Sequence, residues 1–457
     1  MTETLRFEHT FPVAAEELYE WHARPGAFGR LAPPWQKITL DRPAGEIRDG
    51  SRVSFRLAKG PLSLRWVAEH RDVQPGSGFT DVQIEGPFSS WTHRHDFLPN
   101  GGGSSVLRDA LEYELPGGRL GRVVAGSAIR RDIRRTFGYR QRVLAADLRE
   151  HAAHADRRRL TVAITGASGL VGTALADFLS TGGHRIIRIS RSGGDGSVRW
   201  DPATGELELA RLEGLDAIVH LAGENIAAAR WSERQKGRIR GSRVVGTRGL
   251  IESLARLSEP PATLVSASAI GFYGDRGERA VSEEDGPGDG FLAETCVEWE
   301  AEAVRAERLL GARVVRARFG IVLSPRAGAL AKMLPVFRLG AGGRIGNGRQ
   351  MMSWVALDDV VGALHHILMD TELAGPCNVT APGAESNAGF ARTLGGVLRR
   401  PAMAPLPAPL ARIAFGEMAD EMLLSGARVL PARLEATGYA FRYPTLESAL
   451  RHVLGRS

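Results

Sequence analysis

The residues with the clearest chemical purpose stand between positions 160 and 172. Leu160–Thr165 is a short apolar run that passes into Gly166-Ala167-Ser168-Gly169-Leu170-Val171-Gly172, and an apolar helical pattern continues to Leu179. A strand, a G-x-x-G-x-x-G turn and a helix in that order form a device for holding a dinucleotide. Gly166 permits the tight turn, Gly169 lets backbone approach a pyrophosphate, and Gly172 lets helix and strand pack closely. Amides at the helix start, around Ser168, Leu170 and Val171, then meet the phosphate charge. The next strand, Arg185–Ile189, ends in Ser190-Arg191-Ser192. A ribose with free hydroxyls calls for Asp or Glu here, but the first acid is Asp195. Arg191 instead offers a guanidinium fork suited to a 2′-phosphate. The expected cofactor is therefore NADP(H) rather than NAD(H); the other reading of Arg191 is an ordinary surface side chain. A third strand, Ala217–Leu221, ends in Ala222-Gly223, where the adenine side can lie against backbone.

These groups need a parallel α/β sheet to position them, and from Leu160 onward strands alternate with helical patterns as such a sheet requires. Residues 1–155 read differently. Leu5–Phe11 alternates apolar and polar, Ala14–His22 is a short helix, and a loop with Pro25, Gly26, Pro33 and Pro34 follows. Strand-like runs come next at Lys37–Leu40, Arg52–Leu57, Leu62–Val73, Phe79–Ile84, Trp91–Leu98 and Val106–Leu115, separated by Gly, Pro, Asn and Asp turns. A long helix carrying Ile129, Ile133, Phe137, Leu144 and Leu148 closes this region. His151–Arg159 is a basic linker. The chain thus divides into residues 1–155 and 156–457, with a substrate lobe from about residue 325 to 457.

Composition limits the function classes. The chain has 457 residues, enough for two or three domains, and its 43% hydrophobic content excludes a disordered chain. Two cysteines, Cys296 and Cys377, exclude a disulfide framework. The N-terminus lacks a secretory pattern, and no apolar run is long enough for a membrane span. A cytoplasmic protein is expected. The net charge is +7, and only four of the 59 basic residues are lysines. Arginine concentrates between Arg119 and Arg159; docking to an anionic partner is one reading, and a solvated helix face with a linker is the other. Nucleic acid is not expected. Among the 12 histidines, His93 and His95 alternate on one strand and His365-His366 are adjacent. Neither spacing suggests zinc, so no metal is expected.

Residues 1–155 resemble the START-like helix-grip family, also called polyketide cyclase/dehydrase-like, through their element order and the stretch from Pro25-Gly26-Ala27-Phe28 to Pro33-Pro34-Trp35. That resemblance implies an apolar cavity for a small hydrophobic ligand; a filled core without ligand is the alternative. From residue 160 to about 455 the chain resembles the extended short-chain dehydrogenase/reductases. The match runs through the glycine turn, His220-Leu221-Ala222-Gly223, Gly223-Glu224-Asn225-Ile226, Arg230-Trp231-Ser232 and Gly241-Ser242-Arg243. It continues through Ser266-Ala267-Ser268-Ala269, Gly271-Phe272-Tyr273-Gly274, Trp299-Glu300, Arg318–Leu323, Gly375–Thr380 and the block from Gly416 to Pro431. Within that superfamily it looks like the epimerase-family proteins labelled sugar-nucleotide epimerases. The resemblance implies a Rossmann-type doubly wound parallel sheet with a C-terminal substrate lobe. It also implies that Ser190, Arg191, Leu221, Ala222 and Arg243 contact the cofactor.

The superfamily transfers protons with a Ser or Thr, a Tyr, and a Lys four residues after the Tyr. Ser268 matches the first; its plain alternative is a strand-end hydroxyl satisfying backbone. The Tyr-x-x-x-Lys pair is missing. Aligning on Trp299-Glu300 puts Glu294 at the Tyr position and Glu298 at the Lys position. Glu294 is a base if burial raises its pKa; a solvated acidic helix is the other reading, favoured for Glu298. Tyr273 is a second candidate acid, or else a packed aromatic. Cys296 has no neighbouring histidine and reads as a buried helix cysteine. Gly340–Gly348 reads as a lid, and Arg349 as an anion contact or a surface ion pair. The expected function is an NADP(H)-dependent oxidoreductase or epimerase acting on a small molecule. The alternative is a non-enzymatic NADP(H)-binding sensor or scaffold. A homodimer is the assembly to test.

Overall fold

The computed structural model describes residues 2–41, 45–60, 62–194 and 196–456, so Asp195 lies outside the described residues. The chain divides into two compact units, Met1–Arg157 with Asp177–Gly183, and Arg158–Ala176 with His184–Ser457.

The first unit runs β1 (Glu3–Phe11), α1 (Ala15–Ala23), α2 (Ala27–Leu31), β2 (Lys37–Leu40), β3 (Arg52–Lys59), β4 (Leu62–Gln74), β5 (Gly78–Glu85), β6 (Ser90–Pro99), β7 (Ser105–Glu114) and α3 (Gly118–Ala152). The strands form one antiparallel sheet in the order β1-β7-β6-β5-β4-β3-β2. The stretch expected as a loop after α1 holds a helical turn, α2, because Gly26 takes the left-handed backbone (φ 95°) that redirects the chain. Two apolar clusters fill the unit. One gathers Phe11, Leu18, Trp21, Phe79, Phe97 and Leu144; the other gathers Leu111, Tyr113, Ile133 and Phe137. The interior is not apolar throughout, since His22, His70, His93, His95 and Asp109 are buried in it.

The second unit continues with β8 (Thr161–Thr165), α4 (Leu170–Thr181), β9 (Arg185–Ser190), β10 (Val198–Arg199), β11 (Ala217–His220), α5 (Glu233–Leu254), β12 (Thr263–Ala269), β13 (Ala280–Val281), α6 (Phe291–Leu310) and β14 (Arg313–Phe319). Then come β15 (Ile321–Leu323), α7 (Gly328–Arg338), β16 (Met351–Met352), β17 (Trp354–Ala356), α8 (Leu357–Met369) and β18 (Gly375–Val379). Seven strands make the main sheet, in the order β10-β9-β8-β11-β12-β14-β18, and their pairings are parallel. Strand order reverses between β8 and β11, so the carboxyl ends of those strands form the crevice where ligands bind in such sheets. Buried on both faces, the strands read as continuous apolar runs; Val162, Ala163 and Ile164 of β8 have no measurable exposure.

Gly340–Gly348, expected as a lid, is pinned. Ala404 and Leu406 donate backbone N–H groups to the carbonyls of Gly342 and Arg344, at 3.1 and 2.9 Å, and Gly346 donates to the carbonyl of Leu406. A Cβ at Gly343 would meet the Ala404 carbonyl oxygen at 2.2 Å. Its glycines here allow close packing of backbone on backbone.

Candidate functional site

The glycine turn sits at the carboxyl end of β8. Gly166 takes φ 65°, and a Cβ there would lie 2.9 Å from the Leu221 carbonyl. At Gly172 a Cβ would lie 2.3 Å from the Gly166 carbonyl oxygen. Ser168 and Gly169 are exposed, and Leu170 and Val171 begin α4. The turn is closed by Gly169 N–H donating to the Gly166 carbonyl at 2.9 Å. The amides at the start of α4 have no partner further back in the helix, as a phosphate site requires.

The adjoining wall is set by His220, which stands inside a motif quoted from the sequence without a role of its own. Leu221 and Ala222 donate their amides to the Thr165 hydroxyl oxygen, at 3.1 and 3.2 Å. That hydroxyl is left to donate to His220 Nδ1 at 2.7 Å, so His220 carries its proton on Nε2 and donates to Thr247 Oγ1 at 3.0 Å. Burial lowers the His220 pKa to about 4, which keeps the ring neutral in this role. The chain ties β8, β11 and α5 together at the crevice and fixes Leu221 and Ala222 beside Gly166.

Ser190 ends β9, half-buried, with its hydroxyl 3.0 Å from that of Ser197. Arg191 is exposed. Arg188, also unforeseen, donates to the Ala167 carbonyl in the glycine turn at 3.2 Å. Arg243 donates to the carbonyls of Glu224 and Ile239, both at 3.1 Å, and lies over the Trp299 ring at 5.1 Å. Burial lowers its pKa. A Cβ on Gly223 would lie 3.4 Å from this guanidinium, so Gly223 and Arg243 border one another.

Ser268 and Tyr273 are brought into one buried network. Ser268 Oγ donates to Glu300 Oε1 at 2.7 Å. Arg318 grips Glu300 through Nε to Oε1 at 2.7 Å and Nη2 to Oε2 at 2.8 Å, and donates from Nη1 to the Tyr273 hydroxyl at 2.8 Å. Tyr273 donates in turn to Asn378 Oδ1 at 2.8 Å. The Tyr273 side chain has no exposure and Ser268 only 2%. Burial raises the Tyr273 pKa, against the opposing pull of Arg318. Glu294 has the opposite setting, exposed in the first turn of α6. The burial that would make it a base is absent there. Glu298 is held by Arg240, with Nε to Oε2 at 2.7 Å. Cys296 is buried, and burial pushes its thiol up to about 11, the wrong direction for a nucleophile. Arg349 is exposed; its amide donates to Asn347 Oδ1 at 2.9 Å. Glu300, Arg318 and Asn378 were not singled out from the sequence, although Glu300, Arg318 and Asn378 all stand inside motifs quoted from it.

The two units have relatives among known proteins. Residues 162–379 match the model of the NAD dependent epimerase/dehydratase family, residues 11–137 that of polyketide cyclase/dehydrase and lipid transport, and residues 406–453 a domain of unknown function. An epimerase family protein of Mycobacterium bovis is 44% identical over 65% of this chain and 98% of its own. A crystal structure of a nucleoside-diphosphate sugar epimerase from Corynebacterium glutamicum is 34% identical, covers 99% of this chain and 90% of its own, and superposes with a TM-score of 0.80. Human epimerase family protein SDR39U1, solved with NADPH, is 36% identical over 65% of this chain and 99% of its own, with a TM-score of 0.60. The chain belongs to the epimerase family of the short-chain dehydrogenase/reductases, and carries an N-terminal START-like domain. No described helix is long and apolar enough to cross a membrane.

Proposed function

We propose that the chain binds NADP(H) at the β8–β11 crevice and transfers hydride to or from a small molecule, as an oxidoreductase or epimerase. The observation that carries this reading is the closely packed glycine turn at the start of α4, beside an exposed Arg191 where an acid would select NAD(H). NADPH in the human relative supports it. Gly166, Ser168, Gly169, Leu170, Val171 and Gly172 hold the pyrophosphate; Ser190 and Arg191 hold the adenosine 2′-phosphate; Leu221, Ala222, Gly223 and Arg243 border the rest. When bound, the cofactor supplies the hydride. Ser268 and Tyr273, joined through Glu300 and Arg318, are the proton-transfer candidates, and the exposed Glu294 becomes one only if substrate buries it. The match of residues 11–137 to the polyketide cyclase/dehydrase and lipid transport family supports a small hydrophobic ligand for the START-like unit, although its core is filled by the apolar clusters described above, and the protein works in the cytoplasm.

Fluorescence titration with NADPH and NADH tests the cofactor. NADPH should bind more tightly, and Arg191→Ala should cost it about tenfold to a hundredfold, the worth of a charge-assisted contact, while leaving NADH unchanged. Preference for NADH, or binding of neither, would sink the reading. The buried, fully engaged hydroxyls of Ser268 and Tyr273 favour a second reading, an NADP(H) sensor without turnover. Hydride transfer on any substrate that disappears in Ser268→Ala or Tyr273→Phe would exclude it.

A further inference from the structure

The interior of the START-like unit holds a second polar cluster, unrelated to the nucleotide crevice. Its members come from four adjacent strands. His70 of β4 stands opposite Asp81 of β5, and Asp81 stands opposite His93 of β6. Two residues further along β6, and so on the same face, His95 stands opposite Asp109 of β7. One side of the sheet thus gathers three imidazoles and two carboxylates from strands that pair in register.

We propose that Asp81, His93 and His95 form a binding site for a divalent transition-metal ion of the zinc class, oriented by Asp109 and His70. One potential ligand atom from each of the three lies within 4.8 Å of those from the other two. His70 Nδ1 engages Asp81 Oδ1 at 2.6 Å, which leaves Asp81 Oδ2 facing His95 Nε2 at 3.2 Å. Asp109 Oδ1 touches His93 Nε2 at 2.9 Å and His95 Nδ1 at 3.0 Å. A carboxylate against the outer nitrogen of each ring is how metal-bound histidines are held in the correct tautomer. The 3.0 Å contact from Asp109 holds His95 Nδ1 on the outer side of the ring and leaves Nε2 turned toward Asp81.

The surroundings suit a cation. His93, His95 and Asp109 are all more than nine-tenths buried, while the Asp81 side chain keeps 23% exposure and marks a way in. Phe79 stacks on His95 at 4.3 Å and Phe137 meets His93 edge-on at 5.2 Å, so the ligands sit in an apolar shell that strengthens charge interactions. Two carboxylates in such a shell need positive charge, which an imidazolium or a bound metal ion supplies. Arg140 acts on both through space but donates its Nε to the Leu31 carbonyl at 3.3 Å, not to either carboxylate. Imidazole with carboxylate, and no thiolate, fits Zn²⁺, Co²⁺ or Ni²⁺ rather than Ca²⁺ or Cu⁺. Three protein ligands leave one position open.

The test uses the full chain, stripped with a chelator and titrated with Zn²⁺ and Co²⁺ by calorimetry and visible absorption. One ion per chain should bind, with the absorption of low-coordinate Co²⁺. His93→Gln and His95→Gln should each abolish it. Asp109→Asn should weaken it about tenfold to a hundredfold, as loss of an orienting carboxylate does. His366→Gln, in the other unit, should change nothing. No uptake, or uptake that survives His93→Gln and His95→Gln, overturns the proposal and leaves the cluster as a hydrogen-bonded ion-pair network. If those variants do not fold, X-ray absorption on the zinc-loaded wild-type chain decides: scattering from two imidazoles supports the site, and its absence overturns it.

Discussion

Both units bury a polar cluster beneath their sheets, and the two are built from different chemistry. In the Rossmann unit, Ser268, Glu300, Arg318 and Tyr273 are joined by aligned contacts of 2.7–2.8 Å around a guanidinium that keeps its charge at any ordinary pH. In the START-like unit, imidazoles and carboxylates share one space. Against burial, which by itself lowers it, contacts with Asp109 and Asp81 raise His95 to about 9. Burial instead takes His93 down to about 4. Against burial, contacts with His70 and His95 hold Asp81 well below the ordinary carboxylate range. The first cluster is locked by a permanent charge. The second depends on which group holds a proton or an ion. A satisfied arginine network rigidifies its surroundings; a histidine–aspartate cluster leaves a choice for solution conditions to make.

The sharpest way to break the contrast is Arg318→Met. It leaves the buried Glu300 with Ser268 and a 3.4 Å contact from Arg316 and should cost about 3 kcal/mol, the lower end for a broken buried pair, read by urea unfolding. A loss below about 1 kcal/mol would mean that the network does not lock the unit. Next comes the acid limb of the Rossmann unit. His220 has a folded pKa near 4 against an ordinary 6.5. Its neutral form is favoured by folding, so this contribution is complete above about 6.5 and is lost as pH falls toward 4. The loss is at most about 3 kcal/mol. His220→Gln should flatten that part of the stability profile, and an unchanged profile would remove His220 from the account. In the START-like unit, His95→Gln in metal-free protein should cost about 1–3 kcal/mol, because it unpairs buried carboxylates. Added Zn²⁺ should raise the melting temperature of wild type alone. The smallest effect is Glu294→Gln. Loss of this exposed carboxylate in the first turn of α6 should leave stability within about 0.5 kcal/mol of wild type. Any larger loss would show that Glu294 has a structural partner.

Much of the crevice's backbone was legible in the sequence, and the reason is locality. The glycine turn and its flanking strand and helix lie within one short segment, so backbone sterics decide them. Arg191 follows from its place at the end of β9. The helix-grip unit was legible too, because alternation and turn residues mark each strand. The helical turn at Ala27–Leu31 was not, since it depends on one left-handed glycine among prolines. Glu294 and Glu298 share a face by spacing, yet spacing says nothing of burial, and the fold leaves Glu294 in solvent.

The sequence by itself determined the two-part organisation, the dinucleotide turn and the absence of the Tyr-x-x-x-Lys pair. Tertiary structure alone decided the company that each candidate keeps. Ser268, Tyr273, Glu300 and Arg318 stand on β12, the turn after it, α6 and β14, and only the parallel sheet brings them together. His93 and His95 could be placed on one face by the two-residue period of a strand. Their meeting with Asp81 and Asp109 depends on register between strands, which turns and bulges set along the whole meander, as at the irregularities between Val67 and Ala68 and between Arg71 and Gln74. Periodicity orients a side chain, whereas register selects its neighbour, and chemistry between side chains needs both.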